Sequence, residues 1–336
     1  MKSLRVTVRS VAVPREAYGE AVWASDAWRA EAVAWLDQRL ADAGMRRTGD
    51  VEHLHVRPWA TAMRAPTTRG PVWMKAAGPA TAFEVGLYEL LHRIAPGHVL
   101  RPIATDTERA WMVLEDGGPT VEDTMEGEEL VRAMEAALRR YAELQRLAAP
   151  HAEELVALGA ADMRPAVLPR RFEEALEATG GGAERTRLEA LRPDVARWCD
   201  ELARAPAEPS IDHNDLHPDN VFAGPPPRAY DWGDSVVAHP FATMLATLDF
   251  LQHHTLHCEP GDPRLVRARD AYLEGFSDLA PHDELVRTLD LARRLGLIAH
   301  ALTWHRVLAA IQPEEVPEGW GEMPLGFLTR LLDDAV

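Results

Sequence analysis

The densest run of chemically capable side chains lies between Ile211 and Asp234. It contains His213, Asn214, Asp215, His217, Asp219 and Asn220, then a Gly224-Pro225-Pro226-Pro227 turn, then Tyr230-Asp231-Trp232-Gly233-Asp234. Asn220 follows Asp215 by five positions, and Asp231 follows Asn220 by eleven. Two short apolar pieces, Val221 to Ala223 and Ala229 to Tyr230, flank the turn and can pair as a hairpin. Such a hairpin sets Asn220 at its start beside Asp231 at its end, with Asp215 on the preceding loop. Oxygen donors converging in this way suit Mg²⁺, which takes carboxylate, amide and phosphate oxygens and retains waters. Phosphoryl transfer asks for an aligned hydroxyl, metal bridges to the phosphates and a cation close by. In that chemistry Asp215 accepts or orients the hydroxyl proton, Asn220 holds one Mg²⁺, and Asp231 bridges metal and phosphates. Each residue alone would be an ordinary turn or cap residue; their joint spacing makes them a candidate site.

The cation is supplied by Lys75, in Val72-Trp73-Met74-Lys75, the only lysine besides Lys2. Glu84 and Glu89 on the following helical segment are the two carboxylates that compete to pair with it. At about 100° per residue, Phe83, Leu87, Leu90, Leu91 and Ile94 form an apolar face with Glu84 at its edge. Glu89 points nearly opposite, to solvent, so Glu84 is the expected partner.

The elements that must position these groups follow from periodicity. Trp28, Val33, Trp35, Leu36 and Leu40 predict a helix from Asp26 to Met45. Short strand-like stretches follow at Val51 to Val56, Ala60 to Arg64 and Val72 to Ala76, then a helix from about Ala80 to Ile94 and a strand at Trp111 to Leu114. After Gly117-Gly118-Pro119, a hinge-like break, the pattern is helical. Long helices are expected at about Gly127 to Leu147, Ala183 to Ala205, Pro240 to Leu256, Pro263 to Phe276 and His282 to Ile311, interrupted by one non-helical insert, Ile211 to Ser235. The expected fold class is therefore α+β and bilobal. It divides into an extension with a helix (1–46), an N-lobe with an antiparallel sheet and one main helix (47–117), and a larger, mostly helical C-lobe (118–336).

The string His213 to Asn220, followed by Asp231-Trp232-Gly233-Asp234, resembles the signature of the aminoglycoside-phosphotransferase and choline-kinase-like superfamily of small-molecule kinases. Members favour Leu-His-Pro after the catalytic Asp and Trp after the metal-binding Asp. The spacing also matches the His-x-Asp-x₄-Asn loop of protein kinases, with Asp231-Trp232-Gly233 standing at their Asp-Phe-Gly. The resemblance runs from about Val51 to Phe250. It implies a protein-kinase-like fold, a nucleotide between the lobes, Lys75 on the lysine strand, and a small-molecule hydroxyl as acceptor. It further implies that backbone groups of Glu115, Asp116 and Gly117 at the interlobe hinge bind a purine, and that His213, His217 and Asp234 support the loop. Two departures stand out. No Gly-x-Gly-x-x-Gly occurs, and Arg57-Pro58-Trp59-Ala60-Thr61 occupies the phosphate-covering turn, with Thr61 and nearby amides as its only candidates. Where the family commonly has an acidic residue before a Pro, this chain has His239-Pro240.

Composition narrows the partners. The chain of 336 residues has 53 acidic against 36 basic residues and a formal charge of −17, which disfavours nucleic acid and anionic membranes and favours cationic ligands. Met1 to Pro14 interrupts its apolar residues with Arg5, Arg9 and Ser10, unlike a signal peptide, and no apolar run spans a bilayer. Cys199 and Cys258 suggest no disulfide framework, so a cytoplasmic setting is expected. His253, His254 and His257 put only the first and third on one helical face and lack an accompanying Glu, so zinc is not expected. The ten Trp and ten Met residues suit core packing and pocket lining. The expected activity is transfer of the γ-phosphate of ATP or GTP, with Mg²⁺, to a hydroxyl of a small molecule that the acid excess suggests is cationic. Aminoglycosides, aminosugars, amino alcohols and amino acids all remain open as acceptors. A catalytically degenerate nucleotide-binding protein and a metal-dependent phosphohydrolase are the alternatives.

Overall fold

A computed structural model describes residues 18–312 and 316–333. Met1 to Pro14, Lys2 among them, lie outside the described residues. Five strands, β1 (Glu52–Arg57), β2 (Ala60–Ala65), β3 (Val72–Ala77), β4 (Pro102–Asp106) and β5 (Trp111–Glu115), form one antiparallel sheet in the order β1-β2-β3-β5-β4. The two faces of β3 explain where Lys75 points. Successive strand residues alternate sides, and Val72, Met74 and Ala76 are buried against the helix Asp26–Asp42. Trp73 and Lys75 therefore face the other way. The helix is capped by the Ser25 hydroxyl, which accepts from the Trp28 N–H at 3.3 Å, and Trp28, Ala32, Leu36 and Leu40, four apart, line its buried stripe.

The N-lobe helix runs Glu84–Ile94 and buries Val85, Leu87, Tyr88, Leu90 and Leu91. It starts four residues later than periodicity indicates, because residues 80–83 turn to meet the β1–β2 hairpin, where the Trp59 carbonyl accepts from the Gly78 N–H at 2.7 Å. Glu89 is exposed and accepts from the Thr105 hydroxyl, as expected of a solvent-facing residue.

Beyond the hinge the chain is mostly helical, and Gly127–Ala148, Pro263–Leu273 and His282–Ala310 lie where periodicity predicts them. Three expectations need correction. The stretch from Ala183 to Ala205 is two helices, Ala183–Ala190 and Arg192–Leu202, because Pro193 sits in the first turn of the second, where a missing N–H is tolerated. Pro240 to Leu256 is a 3₁₀ turn (Pro240–Thr243), an α-helix (Met244–Phe250) and a π-helical turn (Leu251–Thr255). The non-helical insert extends to Ala238, because β10 (Val236–Ala238) pairs with β6 (Ala161–Asp162) and β7 (Ser210–Asp212) in a small sheet ordered β6-β10-β7. Strands this short carry no readable alternation. The architecture is thus α+β and bilobal, an antiparallel N-terminal sheet over a helical C-terminal part. Among the described residues no helix is long and apolar enough to cross a membrane.

Candidate active site

The hairpin forms as expected: β8 (Val221–Phe222) pairs with β9 (Arg228–Ala229), Val221 opposite Ala229. Just below it the Tyr230 N–H donates to the Asn220 carbonyl at 3.1 Å, which brings Asn220 beside Asp231. The Asn220 amide nitrogen donates to the Asp215 carbonyl at 2.9 Å and to Asp215 Oδ2 at 3.0 Å, and lies 3.1 Å from His217 Nε2. These contacts orient the amide and turn its oxygen pole away from Asp215. An amide oxygen and the Asp231 carboxylate are hard oxygen donors of the type Mg²⁺ accepts. Among the described residues no three His, Cys, Asp or Glu side chains gather as a metal site, His253, His254 and His257 included.

The loop is held rigidly from beneath. The His213 N–H donates to the Tyr141 hydroxyl at 2.8 Å, and its Nε2 lies 2.8 Å from the Tyr230 carbonyl, tying the loop to the segment just before Asp231. Burial holds the His213 imidazole below its ordinary pKa, so it serves as a neutral strut. Asn214 adopts φ 62°, a left-handed conformation that Asn tolerates better than most residues, and its amide donates to Thr303 Oγ1 at 3.1 Å. The Leu216 carbonyl accepts from the Thr247 hydroxyl at 2.7 Å. His217 stacks on Phe250 at 4.1 Å and 9°, with Nε2 3.4 Å from Asp215 Oδ2. Burial opposes charge on this imidazole, but the Asp215 carboxylate outweighs it and holds the group above its usual pKa.

Lys75 reaches the same place from the other lobe. Its Nζ lies 2.9 Å from Glu84 Oε1, 2.7 Å from Glu84 Oε2 and 2.5 Å from Asp231 Oδ1. Glu84, fully buried, also accepts from the Trp232 N–H at 3.0 Å. Burial works against the ammonium, yet the two carboxylates raise its pKa and keep it charged. Burial likewise works against the Asp231 carboxylate, and Lys75 lowers its pKa in spite of that. Glu84 is raised, chiefly by burial, with Lys75 pulling the other way. Asp231, at φ 62°, begins the turn that aims its carboxylate into the cleft.

The other sequence candidates separate into two groups. Glu115 and Asp116 spend their side chains on structure, Glu115 on Arg228 at 2.5 Å and Asp116 on Arg64 at 3.2 Å and on the Gly118 N–H at 2.7 Å. The Glu115 backbone N–H donates to the Arg101 carbonyl at 3.3 Å, within the sheet. Gly117 packs against the β8–β9 hairpin: a Cβ there would lie 2.3 Å from the Phe222 ring, and the Ala223 N–H donates to the Pro119 carbonyl at 3.0 Å. Thr61 is buried, and its hydroxyl donates to the His55 carbonyl at 2.7 Å, so it is used within the hairpin and does not reach into the cleft. Asp234 lines the cleft with Asp215 and Asp231, 3.7 Å from Arg306. Its carboxyl is pushed up to about 7, first by burial and then by Asp215. His239 is a buried cap whose Nδ1 accepts from the Phe241 N–H at 3.3 Å.

Sequence reasoning missed Tyr141, Thr303, Arg306 and Phe222. The first three come from helices up to about ninety residues from the loop in sequence and carried no local signal.

The model of the phosphotransferase enzyme family, APH, matches residues 74–285, a span that begins beside Lys75 and takes in the loop, the hairpin and the segments carrying Tyr141 and Thr247, and ends before Thr303 and Arg306. No curated protein matches the sequence significantly. Solved structures share the fold at low identity. Plasmodium vivax ethanolamine kinase aligns over 99% of this chain and 96% of its own, with TM-score 0.64 and 10% identity. A choline/ethanolamine kinase family protein from Mesorhizobium loti aligns over 89% and 93%, with TM-score 0.56 and 15% identity. A macrolide 2′-phosphotransferase from Brachybacterium faecium aligns over 84% and 99%, with TM-score 0.52 and 20% identity. With more than half of its 336 residues matched, including every residue from Lys75 to Asp234, this chain belongs to the phosphotransferase enzyme family.

Proposed function

We propose that the protein transfers the γ-phosphate of ATP or GTP to a hydroxyl of a small molecule, with Asp215 as the catalytic base. The observation that carries this reading is that Asp231, set beside the Asp215–Asn220 pair by the hairpin of one lobe, meets Lys75 and its partner Glu84 from the other. Asp215 takes the proton as the acceptor oxygen forms its bond to phosphorus and the bond to the leaving nucleoside diphosphate breaks. Lys75 contacts the phosphates from the β3 side, with Glu84 holding it in place. The hinge backbone at Glu115, Asp116 and Gly117 binds the purine, and Asn220 and Asp231 hold Mg²⁺. The metal supplies charge neutralisation at the phosphates and helps align them. His213, His217 and Asp234 support the loop. Two free thiols, Cys199 and Cys258, fit a cytoplasmic setting.

The test is ADP release from the purified protein across amino alcohols, hexosamines, aminoglycosides and macrolides, with Asp215→Ala alongside. Loss of about 10²–10⁴ in turnover is expected of a missing general base, with thermal unfolding and nucleotide binding retained. Full turnover in Asp215→Ala would refute the assignment. Phosphate release that needs no acceptor and survives Lys75→Ala would identify a hydrolase instead.

A further inference from the structure

The cleft beside Asp215 has a volume of about 900 Å³ and runs from the β1–β2 turn past Asp231 and Asp215 to the C-terminal segments; residues 115–118 are not among its lining, so the part beyond Asp215 is where an acceptor would lie. One wall carries Asp215, Asp231 and Asp234. The facing wall is aromatic and comes from three separate segments: Trp59 at the β1–β2 turn, Trp304 on helix His282–Ala310, and Trp320 with Phe327 near the C-terminus. The Trp59 and Trp320 rings are 5.4 Å apart, and Trp304 meets Trp320 edge-on at 5.3 Å. All four side chains are only half-buried, so each presents ring surface to the cleft.

Size and charge both select among acceptors. At about 30 Å³ per water displaced, an amino alcohol of four heavy atoms fills on the order of 100 Å³. It would leave most of this wall wet, and apolar surface left in water contributes nothing to binding. A polycation would need carboxylates without partners. Asp249 is already held by Arg330 at 2.6 Å and by Arg293 at 3.4 Å, and Asp234 by Arg306. Asp215 and Asp231 are committed to the chemistry, which leaves exposed Glu20 as the remaining carboxylate in the lining.

We propose that the acceptor is a hydroxyl on a bulky amphipathic molecule of several hundred Å³, whose apolar face packs on Trp59, Trp304, Trp320 and Phe327 while its hydroxyl reaches Asp215. The proposal rests on the phosphotransferase reading and specifies its substrate class. Binding and turnover are measured separately on the full chain: tryptophan fluorescence titration and ADP release, each with erythromycin and a steroid glycoside as bulky amphipathic probes, kanamycin as polycation and ethanolamine as small amino alcohol. At least one bulky probe is expected to quench fluorescence and be phosphorylated. Trp320→Ala should raise the KM for that acceptor about tenfold, the scale of a lost aromatic contact, while the KM for ATP stays put and kcat falls far less. Trp320→Phe should restore most of the affinity, which separates ring packing from misfolding. Turnover of ethanolamine or kanamycin without binding of either bulky probe overturns the proposal and leaves the phosphotransferase reading standing. Absence of binding by any probe, or an acceptor KM unmoved by Trp320→Ala, also overturns it. Bulky probes that bind without phosphate transfer uphold the pocket assignment and sink the phosphotransferase reading.

Discussion

Gly117→Ala tests whether the Gly117-Gly118 segment and the β8–β9 hairpin act as one mechanical unit. A Cβ at position 117 would sit 2.3 Å from Cδ2 and Cε2 of Phe222. Carbon atoms pack best at about 3.5–4.0 Å, so the ring must withdraw by more than about 1 Å. Its retreat is blocked, because Tyr230 stacks on it at 4.2 Å and 21°, and Val221 and Ala223 on either side are tied to Ala229 and Pro119. Overpacking of this kind costs about 1–3 kcal/mol. The displacement passes to Asn220, two residues before Phe222, and to Asp231, next to Tyr230, and a misplacement near 1 Å costs about 10² in rate. The variant should therefore melt a few degrees lower yet lose kcat/KM by roughly tenfold to a hundredfold, measured by thermal denaturation and coupled ADP release. Gly118→Ala is the control. Gly118 has φ 82° with nothing within 4 Å of a built Cβ, so alanine there meets backbone strain of about 1–2 kcal/mol and no steric push on the hairpin. Leucine at 222 in the Gly117→Ala background should recover part of the lost activity through a favourable coupling energy. Wild-type kcat/KM in Gly117→Ala, or a loss that Phe222→Leu leaves untouched, would refute the coupling.

Glu84→Gln keeps an acceptor for the Trp232 N–H but removes the charge opposite Lys75, so Asp231 alone compensates the lysine. A charged hydrogen bond contributes about 1.5–3 kcal/mol, so the ATP KM should rise about tenfold or more with a lowered melting temperature; an unchanged ATP KM would count against Lys75 as the phosphate anchor. Asp212 is buried, and burial pushes its carboxyl up to about 7 even though the Asn214 N–H at 2.8 Å favours the charged form. Since the folded pKa exceeds the unfolded value of about 3.9, the native state retains the proton between these limits, and this group's contribution to stability falls as pH rises from about 4 to 7. Asp212→Asn, which retains an oxygen for Asn214, should flatten the decline of melting temperature between about pH 4 and 7; identical slopes in both proteins would refute the assignment.

The local features of the site were legible because each rests on near neighbours in sequence. The eleven-residue gap with its Gly-Pro turn specifies a hairpin, and the helical projection separates Glu84 from Glu89 by which side of the apolar stripe each occupies. What escaped depends on distant segments. The aromatic wall joins Trp59 to Trp320 across more than 250 positions, and neither has a periodic neighbour that would mark it as cleft-facing. The strands β6 and β10 are two and three residues long, too short for alternation to show, and are defined by their pairing partners. The acid excess pointed toward a cationic ligand, yet charge counted along a sequence carries no information on pairing, and in the fold Asp234 and Asp249 face arginines.

Lys75 shows why the two lobes must be read together. A lysine on a strand with one glutamate partner would be an ordinary buried pair, for which desolvation opposes most of the Coulomb gain. Here the ammonium meets a second carboxylate from the opposite lobe, and Glu84 itself accepts the N–H of Trp232, the residue after Asp231. The β3 strand, the N-lobe helix and the metal-side turn are thus linked through one nitrogen and one carboxylate, and none can shift without breaking a charged contact. Two carboxylates around one ammonium carry a net negative charge, so the cluster by itself repels phosphate. A divalent cation on the Asp231 side would reverse that sign, so under the proposed function phosphate binding at Lys75 would be conditional on metal at Asn220 and Asp231. Nucleotide affinity measured with and without Mg²⁺ should consequently differ far more in wild type than in Asp231→Asn, where the second carboxylate charge is gone. Equal Mg²⁺ dependence in the two proteins would show that the charges around Lys75 do not set the order of binding.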